Sequence, residues 1–76
     1  MMRYLIIIEQ AEHNLSAYVP DLSGCVTTGA TRDEVIANMP EAIELHLQGL
    51  REDGETIPAP NSEPAFVDVT LSPSVA

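Results

Sequence analysis

A chain of 76 residues, 45% hydrophobic and 20% charged, is apolar enough to fold and short enough to hold one core, since a domain this size buries only about 60% of its unfolded surface. Twelve acidic residues against Arg3, Arg32 and Arg51, with no lysine, give a formal net charge of -9. That balance excludes the basic stripe a nucleic-acid backbone requires and favours a basic protein partner, besides keeping the chain soluble. Cys25 is the only cysteine, which excludes an intrachain disulfide, and the apolar run from Leu5 to Ile8 is too short for a membrane span or a signal-peptide core. A cytoplasmic protein is expected.

In chain order, Arg3 to Glu9 predicts a strand with Tyr4, Ile6 and Ile8 on one face and Leu5 and Ile7 on the other. Both faces are apolar, as in a strand inside its sheet. Gln10 to Asn14 is polar and reverses the chain. Leu15, Ala17 and Val19 then alternate with Ser16 and Tyr18, a second strand pairing back as a hairpin. Pro20 cannot donate a ladder hydrogen bond, so Pro20 to Gly24 forms a turn that the Asp21 carboxylate can cap. Cys25 to Gly29 predicts a third strand.

Thr31 and Glu34 have capping-box spacing, and Asp33 and Glu34 suit the positive end of a helix. Val35, Ile36, Met39, Ala42, Ile43, His46, Leu47 and Leu50 recur at three- and four-residue spacing as one stripe, so a helix should run to about Asp53 and stop at Gly54. Pro40 interrupts it and predicts a kink near Ile36 to Pro40. After an extended connector through Ile57 to Pro60 and a polar loop from Asn61 to Pro64, Phe66 to Leu71 alternates again and predicts a fourth strand. Ser72 to Ala76 reads as a frayed tail, leaving 1–71 as a single domain.

The order is β-β-β-α-β, an α+β arrangement. A right-handed crossover through the helix places the fourth strand beside the first and parallel to it, giving a sheet of order 3-2-1-4 with one helix on one face. The other face stays open, with Tyr4, Ile6, Ile8 and Tyr18 as candidates for a homodimer or homotetramer contact.

Several residue types invite chemical readings. Cys25 as a nucleophile would need a base, for which His13 in the first hairpin loop is the candidate, and a small buried side chain is the simpler reading. His46 lies in the apolar stripe without a second ligand at metal-binding spacing. The candidate carboxylates for a two-metal nuclease are Glu9, Glu34 or Glu44, and Asp68, and their positions converge poorly. No catalytic, cofactor or metal site is therefore assigned. Glu41, Glu44, Glu52, Asp53 and Glu55 are the candidates for meeting a basic partner, since that role demands charge rather than exact geometry.

The stretch Tyr18-Val-Pro-Asp-Leu-Ser-Gly-Cys25, then Gly29-Ala-Thr31, Asp33, Glu34, Asn38, Glu41-Ala-Ile43 and Gly54-Glu-Thr-Ile-Pro58, resembles the HicB antitoxin family over nearly the whole chain. The resemblance implies a partial ribonuclease-H-like fold without a working nuclease site, and a non-enzymatic antitoxin that binds and neutralises a small basic HicA-type toxin, an RNA-cleaving enzyme. Ser23 stands where that family more often has a second proline, and Pro40 is unusual in its helix. With the sequence stopping soon after the fourth predicted strand, the DNA-binding segment of longer members is expected to be absent, so that direct DNA binding is not expected. The alternatives are a metal-dependent nuclease and a stand-alone homo-oligomeric module.

Overall fold

A computed structural model describes residues Met2–Pro73, so the end of the tail lies outside the described residues. Three short strands, β1 (Ile7–Gln10), β2 (Leu15–Tyr18) and β3 (Val26–Gly29), form an antiparallel sheet of order β1-β2-β3, and one long helix, α1 (Arg32–Glu52), follows. The register sets Ile7 opposite Tyr18 and Tyr18 opposite Val26, with Ile8, Ala17 and Thr27 forming the next row. Successive side chains point to opposite faces, so Ala17 turns inward beneath the helix while Tyr18 and Val26 turn outward. β1 is shorter than Arg3 to Glu9 because its partner ends at Tyr18. Val19 begins the turn and Pro20 has no N–H to continue the ladder.

The core is Ala17, Val19, Leu22, Cys25, Val35 and Met39, all essentially excluded from solvent. Leu22 belongs to the turn, which folds on itself through Leu22 N–H to Val19 O (3.0 Å) and Cys25 N–H to Leu22 O (3.1 Å) and thereby pushes its side chain inward. The four largest fully buried side chains, Leu22, Met39, Val19 and Val35, are worth about 1.5–3 kcal/mol each. So small a core leaves association an effective way to add stability.

Both helix ends are closed by their own sequence. Thr31 accepts the Glu34 N–H at 3.1 Å through its hydroxyl. At the other end Gly54 takes φ +71°, its N–H reaches Arg51 O at 3.1 Å and the Glu55 N–H reaches Leu50 O at 2.9 Å. That pair of bonds is a Schellman cap. The helix continues through Pro40, whose ring lies in an exposed position. Ile36, although in the predicted stripe, sits at its margin and is 39% exposed.

Two expectations are corrected. Tyr4, Ile6 and Ile8 pack against the core on the helix side of the sheet, and Tyr18 alone of the four faces outward. The open face instead carries Ile7, Tyr18 and Val26. The helix covers the side on which Ala17 and Val19 lie, and pairing puts Ile8 in the same row as Ala17. The second correction concerns Phe66–Leu71. Among the described residues no strand follows α1, the sheet order holds only its 3-2-1 part, and Phe66, Val67, Val69 and Leu71 are 78–99% exposed.

Candidate partner-binding surface

At 100° per residue, Glu34, Glu41 and Glu52 fall within about 20° of one another on α1, on the side away from Val35 and Met39. Glu44 borders this face beside a shallow groove lined by Met2, Tyr4, Pro40, Ile43 and Leu47. Leu45 lies between Glu41 and Glu52 on the same face and is 62% exposed. An exposed leucine with Glu41 one helical turn before it and Glu52 two turns after it combines an apolar group that can be buried with acids that can orient a basic surface. The apolar stripe omits Leu45. Its signal in the sequence is the reverse one, a large apolar residue outside the 3.6-residue pattern.

The five acidic candidates divide between two places. Glu41, Glu44 and Glu52 belong to the outer helix face, where Glu52 also accepts from Gln48 Nε2 at 3.3 Å. Asp53 and Glu55 lie in the C-cap, and their backbone N–H groups bond to Gly49 O and Leu50 O. All five side chains are exposed.

Asp21 has a different job from capping its own turn. Its carboxylate accepts from the N–H groups of Asn61 (3.1 Å) and Ser62 (3.0 Å) and from the Ser62 hydroxyl (2.9 Å). Tyr4 reinforces the same junction by donating its hydroxyl to Pro58 O at 2.6 Å. Burial, and then the Asp21 charge, hold the Tyr4 phenol above its ordinary pKa. The connector after the helix is thus pinned to the sheet at two points. A third tie, Asn38 Nδ2 to Thr28 O at 3.1 Å, fixes the helix against β3.

The chemical candidates are not brought together. Cys25 is buried, and burial raises its thiol pKa, which keeps it protonated and unreactive near neutral pH. His13 is in solvent beside Glu12 at 3.8 Å. Glu9 is the next-to-last residue of β1, Glu34 lies in the first turn of α1, and Asp68 lies on the exposed C-terminal segment; among the described residues no three of His, Cys, Asp and Glu come close enough to hold a metal ion.

The profile of the HicB_like antitoxin of bacterial toxin-antitoxin systems matches residues 4–70. The chain belongs to the HicB-like antitoxin family. It is 36% identical over 67 residues to a protein of Haemophilus phage HP1, covering 88% of this chain and 50% of that one. It is 38% identical over 63 residues to a UPF0150 protein of Thermoplasma acidophilum, covering 82% and 91% respectively. It is also 33% identical over 72 residues to Antitoxin HicB 2 of Photorhabdus laumondii, covering 93% of this chain and 52% of that protein. The chain therefore spans about half the length of the phage protein and of HicB 2. Among solved structures it is similar to a chain of a HicA3 and HicB3 toxin-antitoxin complex, with a TM-score of 0.70 and 31% identity, covering 80% of this HicB-like chain and 71% of that one. The family and this neighbour account for the three strands and following helix. Among the described residues of the HicB-like chain, no helix is long and apolar enough to cross a membrane.

Proposed function

We propose that this HicB-like chain is a cytoplasmic, non-enzymatic antitoxin that binds a small basic toxin of the HicA type and blocks its RNA cleavage. The observation carrying this reading is the family match over residues 4–70, supported by likeness to a chain from a HicA3 and HicB3 complex. The net charge of -9 and the face of Glu34, Glu41, Leu45 and Glu52 supply what a basic partner needs. The outer helix face then carries the contact, with Leu45 as its apolar anchor and Glu41 and Glu52 as its charges.

The test is co-expression with the product of the adjacent short reading frame, which this reading expects to be a small basic ribonuclease. Relief of growth arrest and copurification of the two chains are expected. The triple variant Glu41→Lys, Leu45→Ala, Glu52→Lys, altered only at exposed positions, should keep its fold and lose both. A chain that neither relieves arrest nor copurifies overturns the antitoxin reading; a triple variant that binds as the parent does overturns the assignment of the helix face.

A further inference from the structure

The C-terminal segment presents an unusual surface for a soluble domain. Phe66 is 99% exposed, Val67 83%, Val69 81% and Leu71 78%, and the last three lie on one side of an alternating run. The chain measures 54 × 27 × 21 Å with a radius of gyration of 15.8 Å, against about 11 Å for a compact chain of this length. Large apolar side chains held this far from any core mark an interface.

The opposite half of that interface is also present. β1 pairs with β2 on one side, and no strand among the described residues pairs with its other edge. A cleft of about 480 Å³ runs beside Leu5–Ile8, bounded by Pro64, Ala65 and Phe66 where the chain departs from the sheet. An unpaired edge beside such a cleft is a template for an added strand.

We infer that Phe66–Leu71 is exchanged between two copies of this chain, each segment pairing with the free β1 edge of the other and completing its sheet as a fourth strand in trans. Three observations commit the edge to a second copy. The first is charge: Arg3 and Arg32, two of the chain's three basic residues, line the clefts along Arg3–Ile8, with Glu63 as the acid there. That setting opposes a basic partner and accepts a segment whose sole charge is Asp68. The second is length, because six extended residues span about 20 Å, enough to run along the apolar stretch that leads from Arg3 into β1 at Ile7 and Ile8.

The third is the hinge. Asn61 and Ser62 are fixed to Asp21, and Pro64 follows at once, biasing Glu63 to an extended backbone. The strand is thereby directed outward instead of back onto its own sheet. The exchange is self-complementary, so two copies close it without leaving a free edge of this kind.

The full chain should sediment at twice its 8.2 kDa mass. The double variant Val67→Asp, Val69→Asp should sediment as a monomer that keeps the helical far-ultraviolet circular dichroism and thermal unfolding of the folded chain while losing the contribution of the strand formed in trans, because neither side chain packs within its own copy. Exchange is distinguished from face-to-face docking by mixing. A spin label at Val69→Cys in a Cys25→Ala background should broaden the amides of Leu5–Ile8 in isotope-labelled copies mixed with it. A monomeric parent chain, a double variant that dimerises like the parent, broadening confined to the spin-labelled copy's own amides, or a segment that becomes ordered only when a basic ribonuclease is added would each overturn the inference. None of these readouts depends on antitoxin activity.

Discussion

The junction at Asp21 offers a test of how the connector is held. Asp21→Ala removes an acceptor that receives three hydrogen bonds, two from backbone N–H groups and one from the Ser62 hydroxyl. At about 0.5–1.5 kcal/mol net for each bond the loss could reach about 4.5 kcal/mol. Partial exposure lets water replace some of them, and the ceiling is the free energy with which the connector docks at all. A loss of about 2 kcal/mol is expected. For a chain of this size that lowers Tm by roughly 8–16 °C. Asp21→Asn keeps one oxygen acceptor and should lose about half as much. Thermal unfolding at fixed protein concentration measures the total, and amide hydrogen exchange at Asn61 and Ser62 locates it. If Asp21→Ala melts with the parent and those two amides stay protected, the carboxylate is not the anchor.

Two further substitutions probe the packing of glycines. A Cβ on Gly29 would lie 2.9 Å from Val35 Cγ2 and 3.0 Å from the Val35 backbone nitrogen, so Gly29→Ala should cost about 1–3 kcal/mol in a denaturant titration. Gly49→Ala meets nothing within 4 Å inside the helix and should stabilise by about 0.5–1 kcal/mol in the same assay. The Tyr4 phenol, with its pKa raised in the folded chain, favours the folded state while protonated; its contribution is complete below the unfolded value near 10 and is lost as pH rises through the folded value. Thermal melts above pH 9 should therefore decline less steeply for Tyr4→Phe than for the parent, and in a Tyr18→Phe background the phenolate absorbance of Tyr4 should appear only above its usual midpoint.

Local chemistry made much of this fold legible. Thr31 and Glu34 mark the helix start and Gly54 its end because capping is settled within a few residues, and the structure reproduces both ends. The alternation at Leu15–Val19 likewise places Ala17 and Val19 inside and Tyr18 outside. What local chemistry leaves open is which side of a sheet receives the helix. Ile6 and Ile7 are equivalent in a strand apolar on both faces, and the choice is made by β2, where Ala17 and Val19 sit inward opposite the outward Tyr18. The same ambiguity extends to the candidate surface, because Leu45 is informative only after Val35 and Met39 define the helix's inner side.

The fourth strand shows a different boundary to what one chain reveals. Alternation at Phe66–Leu71 predicts a strand and the right-handed crossover predicts the edge it would take, but neither specifies that both belong to the same molecule. That depends on the hinge. With Asn61 and Ser62 held by Asp21 and Pro64 stiffening the exit, folding back would require a reversal within the few residues before Phe66, none of which is a glycine. Releasing the hinge should consequently move the strand between chains: replacing Pro64 with glycine in an Asp21→Ala background should shift the population from dimer toward a monomer in which Phe66–Leu71 covers its own β1. Sedimentation together with amide protection at Val67 and Val69 reads the outcome. A released hinge that leaves the parent dimer unchanged would remove it from the explanation.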